Sequence, residues 1–175
     1  MKIESDAVVP FRLPEVFRAY RDDLPKLVEY LPNVKSIEVE DRTEDGSVVK
    51  LVNVWHAGGD IPVSIRKFLG ESMLSWHDYA TWDESGWTCH WTIETHSFRE
   101  AVQCTGENRF VELDGDRTRL EIKGDLRIDL KKVRGVPTMV AGSLGRTVEQ
   151  FLVKQITANL GDVSDGLSRY LAAQG

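Results

Sequence analysis

The stretch PTMVAGSLGRTVEQFLVKQITANLGDVSDGLSRYL, residues 137–171, decides the fold. It is the segment long and periodic enough to form one dominant helix. Its apolar residues are Val140, Leu144, Val148, Phe151, Leu152, Ile156, Leu160, Val163, Leu167, Tyr170 and Leu171. They recur in steps of three and four, which places them on one helical face. Arg146, Glu149, Lys154, Asp162, Asp165 and Arg169 fall mostly on the other side. Pro137 suits a first turn, where a missing N–H has no partner to lose. Gly142, Gly145, Gly161 and Gly166 each weaken the helix by roughly 1 kcal/mol against alanine, and a bend or break is expected near Gly161. A helix with such a stripe must be covered, so the rest of the chain has to supply a surface.

That surface reads as an antiparallel sheet. Residues 2–10 alternate as a strand, with Ile3, Ser5, Ala7 and Val9 on one face. Residues 13–21 switch to helical spacing through Leu13, Val16, Phe17 and Tyr20, and a second short helix is expected over 22–31, with Pro25 in its first turn and Pro32 closing it. Strands follow at 34–42 and 47–57 around Asp45-Gly46. A two-residue turn there would set Val39 against Val52 and Ile37 against Val54. Residues 60–69 suggest a short helix. Residues 73–82 and 87–96 form a hairpin around residues 83–86, predicted to pair Trp82 with Trp87, Asp78 with Trp91 and Ala80 with Cys89. Strands 102–113 and 118–130 meet across Asp114-Gly115-Asp116. Setting Glu112 against Thr118 brings Gly106 opposite Gly124, a pairing that implies a bend or the close approach of another body.

Composition sets bounds. A chain of 175 residues with 41% hydrophobic and 29% charged residues is an ordinary globular domain, expected to be a single unit over 1–175. A net charge of −6 argues against nucleic-acid binding through overall charge. Cys89 and Cys104 make no disulfide or metal pattern. No apolar run approaches the ~20 residues that span a bilayer, and the polar start Met1-Lys2-Ile3-Glu4-Ser5-Asp6 does not resemble a secretory signal, so a cytoplasmic location is expected.

The order is strand, two short helices, six antiparallel strands, long helix. This α+β order resembles the helix-grip fold of the superfamily containing START domains, birch-pollen-allergen-like proteins and polyketide cyclase/aromatases. There a strongly bent seven-stranded antiparallel sheet wraps a long C-terminal helix. The segments 61–70 (IPVSIRKFLG) and 118–124 (TRLEIKG) resemble those of an uncharacterised bacterial START-like family. The resemblance implies a cavity between sheet and helix that takes an apolar or amphipathic, lipid-like or polyketide-like small molecule, with no cofactor.

The residues offer their own support. The inferred inner face mixes bulky Trp76, Trp82, Trp91 and Phe110 with small Ala80, Gly106 and Gly124, and carries isolated polar Asp78, Thr95 and Asn108. Pockets are mostly apolar with a few placed polar groups; the competing account is a filled core. The expected ligand-binding set is Trp76, Asp78, Trp91, Asn108, Phe110, Leu144, Val148 and Phe151. Asp78 is a weak catalytic candidate, because a carboxyl among tryptophans is paired, protonated or functional. His56, His77, His90 and His96 lie on nearby strands but supply no tetrahedral ligand set, so no metal centre is predicted. The predicted register sets His77 against Thr92 and His90 against Tyr79. No nucleophile elbow or phosphate loop is present.

Alternate loops of a meander share an end. One end gathers Glu44, Asp45, Asp83, Glu84, Asp114 and Asp116. The other gathers Arg66, Lys67, Arg99, Lys131, Lys132 and Arg134, with Phe68, Leu69, Phe98 and Val136. By resemblance the pocket opens at this second end, so Arg66, Lys67, Phe68, Arg99, Lys132 and Arg134 are expected at its mouth, with transient contact to an anionic membrane surface as a possible use. Three functions stay open: a non-enzymatic binder or carrier, which the residues favour; a cyclase/aromatase-type enzyme using Asp78, with His56 or Asn108; and a regulatory protein-interaction module with a filled core.

Overall fold

The structure is a computed structural model that describes residues 1–58, 75–96, 99–132 and 138–175, without the side chains at 138, 140, 144, 151 and 155. Seven antiparallel strands form one sheet: β1 (Lys2–Val9), β2 (Val34–Asp45), β3 (Val48–Ala57), β4 (Ser75–Asp83), β5 (Thr88–Thr95), β6 (Val102–Leu113) and β7 (Arg117–Ile128). Their spatial order is β1-β7-β6-β5-β4-β3-β2. The meander from β2 to β7 is thus completed by β1. Helix α1 (Leu13–Asp22) and a 3₁₀ segment, Leu24–Tyr30, carry the chain from one sheet edge to the other. The second short helix expected over 22–31 is this 3₁₀ piece. Helix α2, Thr138–Gln174, packs across β1, β7 and the 3₁₀ segment.

The core divides in two along α2. Val163, Leu167 and Tyr170 join α1 and the sheet through Val9, Phe17, Leu27 and Leu120. Val148 joins Ile3, Cys104, Leu126 and Ile128. Trp91 and Leu160 touch both groups. The helix runs unbroken through Gly161, because no neighbour crowds that position and burial of the flanking stripe outweighs the glycine's propensity cost. Gly166 has a packing use: a Cβ there would lie 3.2 Å from Tyr30 Cβ.

Two registers differ from expectation. In the β4–β5 hairpin Asp83 pairs with Thr88, Trp82 with Cys89, Ala80 with Trp91 and Asp78 with Ile93. The shift is two residues, so every side chain keeps its face. Its cause is a four-residue turn held by Asp83 Oδ1, which accepts from the Ser85 N–H at 2.9 Å and the Ser85 hydroxyl at 2.7 Å. Trp87 closes the turn at φ +52°. Its ring packs edge-on to Phe17 at 5.1 Å and its carbonyl accepts the Phe110 N–H at 2.9 Å, contacts that offset the strained backbone. In the β2–β3 hairpin the turn residues are Gly46 and Ser47, with Asp45 opposite Val48, and a bulge between Val39 and Asp41 leaves Glu40 unpaired in the ladder. Ile37 consequently faces Trp55 and Val39 faces Asn53. The β6–β7 register has Glu112 opposite Thr118 and Gly106 opposite Gly124, as the sequence predicts. The short helix expected at 60–69 lies outside the described residues.

Candidate ligand cavity

Strand alternation turns Trp76, Asp78, Ala80 and Trp82 of β4 to one face, with Cys89, Trp91 and Ile93 of β5, Trp55 of β3 and Asn108 of β6. Tyr20 of α1, Leu24, Val34 and the α2 residues Ile156, Asn159, Leu160 and Val163 complete the walls of a cavity. Its free volume is about 120 Å³. An apolar cavity of about 150 Å³ accommodates benzene, so this space suits one small ring; a larger guest requires side chains to yield.

Asp78 provides the charge in this wall. One oxygen accepts from Asn53 Nδ2 at 3.2 Å. Burial pushes its carboxyl up to about 6; the Asn53 amide, and to a smaller extent the Trp55 indole lying outside good hydrogen-bond geometry, pull it back down. Asn53 Oδ1, Trp55 Nε1 and Trp82 Nε1 are buried without a hydrogen-bond partner. Each such group costs about 1–3 kcal/mol unless something satisfies it, and two of the three belong to cavity-lining tryptophans. The same burial, with Asp78 nearby, raises the Cys89 thiol well above its ordinary range. A thiol held protonated is a poor nucleophile.

Trp91 is set by glycines. It pairs with Gly106, which pairs with Gly124. A Cβ on Gly106 would overlap the Trp91 ring, and one on Gly124 would approach it to 2.8 Å. The body that needs both glycines is therefore the indole itself, lying flat over the strands. Trp91 Nε1 donates to Asn108 Oδ1 at 2.8 Å, which fixes the ring's direction along the cavity wall.

Of the residues expected to bind ligand, Trp76, Asp78, Trp91 and Asn108 line the cavity. Phe110 packs instead into a ring cluster, 5.0 Å from Phe17 and 6.0 Å from Trp82. Val148 lies in the second core group. Phe110 is covered by the Phe17 and Tyr20 rings of α1, whereas α2 crosses the sheet so that Ile156, Asn159, Leu160 and Val163, rather than Val148, line the cavity. The side chains of Leu144 and Phe151 lie outside the described residues, as do Arg66, Lys67, Phe68 and Arg134. Arg99 pairs with Glu94 at 2.7 Å, and Lys132 is exposed at the end of a short 3₁₀ turn. His56 is adjacent to Trp55, whose side chain lines the cavity, so strand alternation turns the histidine to the outer face. Tyr20, Leu24, Val34, Trp55, Ile156, Asn159, Leu160 and Val163 are wall residues that sequence reasoning missed. Trp55 follows from β3 alternation with the buried Val49, Leu51 and Asn53, whereas the α2 residues depend on the helix's crossing point.

No family model matches the sequence, and no curated protein sequence matches it. Solved structures do. An aromatase/cyclase, Zhui from Streptomyces sp. R1128, superposes with a TM-score of 0.67 at 17% identity, covering 100% of this chain and 98% of that one. A protein of Thermus thermophilus superposes at 0.64 and 18% identity, with 100% of both chains covered. Norcoclaurine synthase from Thalictrum flavum, solved with dopamine and hydroxybenzaldehyde, superposes at 0.60 and 12% identity, covering 100% of this chain and 88% of that one. Sheet order, terminal helix and these likenesses together give the chain an α+β helix-grip fold, the fold of these solved structures.

Proposed function

We propose that the chain binds a small apolar or amphipathic molecule in the cavity between its sheet and α2. The observation that carries this reading is the cavity wall: among the described residues it is almost wholly apolar, and it carries the buried Asp78 carboxyl and the Trp55 and Trp82 indole N–H groups, neither of which makes a well-formed hydrogen bond. A packed core has no reason to leave those groups without partners, whereas a guest bearing a hydroxyl or carbonyl satisfies them. The ligands named with helix-grip neighbours, dopamine and hydroxybenzaldehyde on norcoclaurine synthase, are single-ring molecules carrying such groups. A lipid-like or polyketide-like chain is accommodated if Trp91 swings from its glycine notch. Contact with an anionic membrane through the basic rim belongs to the same carrier reading.

The test is mass spectrometry of the purified chain, native and then after solvent extraction, followed by titration with single-ring phenols. A stoichiometric released molecule or saturable binding supports the reading. A clean mass together with no binding of any apolar probe overturns it.

One observation favours a second reading, acid–base catalysis of the cyclase type: Asp78 changes charge near pH 6, within the range useful to a general base. Turnover of a bound enolisable substrate that vanishes in Asp78→Asn while binding persists would establish it; unchanged turnover would remove it.

A further inference from the structure

On the outer face of the sheet, remote from the cavity, two histidines converge. His77 sits on β4 between the cavity-lining residues Trp76 and Asp78, so it points the other way. His96 follows β5 and is held beside β4 by its N–H, which donates to the Ser75 carbonyl at 3.4 Å. His77 Nδ1 and His96 Nε2 are 3.1 Å apart, their ring centres 4.7 Å apart and their planes inclined by 51°. Each ring's other nitrogen is already engaged. His77 Nε2 meets Glu40 Oε2 at 3.1 Å, and His96 Nδ1 meets Ser75 Oγ at 2.9 Å.

We propose that His77 and His96 form a two-histidine chelate for a borderline divalent transition-metal ion, with Zn²⁺ as the reference ion. Two imidazole nitrogens bound to zinc at 2.0–2.1 Å with an angle between about 90° and 110° lie about 2.9–3.4 Å apart. The observed spacing falls inside that interval before any metal is bound. Metal-bound histidines characteristically have their second nitrogen held by a carboxylate or another oxygen, which fixes ring direction and tautomer. Glu40 and Ser75 occupy those two places. Glu40 is the bulged residue of β2, and a bulge re-aims a side chain; this one reaches over β3 to His77. Glu94, opposite His77 in the β4–β5 ladder, pairs with Arg99 at 2.7 Å.

The donor set defines the ion. Imidazole nitrogens select Zn²⁺, Ni²⁺ or Cu²⁺ over Mg²⁺ and Ca²⁺. Among the described residues no group of three or more His, Cys, Asp or Glu forms a metal site, so the proposed site is a two-histidine chelate and not a four-ligand structural centre. The predicted β4–β5 register hid the pair. It set residue 96 opposite residue 73, and the observed shift of two brings it opposite Ser75, diagonal to His77.

The test is calorimetric titration of the untagged chain with Zn²⁺ at pH 7.5 in a non-chelating buffer. One saturable site is expected in the wild type. His77→Ala and His96→Ala, checked for fold by circular dichroism, should each weaken it at least tenfold. Glu40→Gln, which keeps both ligands, should weaken it about tenfold, and His90→Ala should leave it unchanged. Absence of a saturable site in the wild type, or equal binding by the His77→Ala/His96→Ala double variant, overturns the proposal.

Discussion

A carboxyl that keeps its proton to about pH 6 when folded, against 3.8 in its ordinary state, leaves a mark on stability. Between about pH 4 and 6 the folded chain holds a proton at Asp78 that the unfolded chain has lost. Stability contributed by this group therefore falls as pH rises through that window and stays low above it. Two pKa units correspond to about 3 kcal/mol at most. Asp22, Asp83, Glu84, Asp114 and Asp125 are shifted downwards by their hydrogen-bond and ion-pair partners and act with the opposite sign, so the comparison that isolates Asp78 is wild type against Asp78→Asn. The variant should be more stable by about 1–3 kcal/mol at pH 7.5 and near-equal at pH 4, measured as urea midpoints. Gly106 makes a second residue-scale prediction. Gly106→Ala places a methyl into the Trp91 ring and close to the Lys123 carbonyl. Overpacking of that kind costs about 1–3 kcal/mol, and it should change Trp fluorescence by displacing the indole from Asn108. Thermal unfolding and an emission spectrum of the variant check both effects.

At the scale of elements, α2 is fastened to the sheet by more than its apolar stripe. Glu149 Oε1 accepts the Ile128 N–H at 2.6 Å, at the end of β7 where the ladder stops. A charged acceptor on a backbone donor is worth about 1.5–3 kcal/mol. Glu149→Ala should cost that amount and raise amide exchange at Ile128, whereas Glu149→Gln, which can still accept, should cost less than half as much; hydrogen exchange read by NMR separates the two. This contact was invisible in the sequence, where Glu149 counts only as a polar-face charge. The apolar pattern was enough to locate the helix, every described strand and the β6–β7 register. It was not enough for the β4–β5 register, which depends on Asp83 folding back on Ser85 and on Trp87 accepting a left-handed backbone. The inner and outer faces survived that error because the shift was even. At Glu40 the bulge shifts the β2–β3 register by one residue, setting Ile37 opposite Trp55.

For the whole molecule, the helix-grip arrangement makes the cavity a consequence of how α2 crosses the sheet. Two core groups, one around Phe17 and Leu167 and one around Ile3 and Val148, leave the space between them to Trp91 and Leu160. Trp76, Asp78, Trp91 and Asn108 of the expected ligand-binding set line the space because strand alternation is legible in sequence. On α2, Val148 falls about two to four turns before the residues that line the wall, Ile156, Asn159, Leu160 and Val163, because the crossing point depends on packing that no local pattern encodes. The central claim is that this space receives a guest. The most direct measurement is fluorescence titration with a single-ring apolar probe, in the wild type and in Leu160→Trp, which fills the cavity from α2, with circular dichroism confirming that both are folded. The account predicts saturable one-to-one binding in the wild type and at least a tenfold loss in Leu160→Trp. No binding in the wild type, or equal binding in the filled variant, would contradict it.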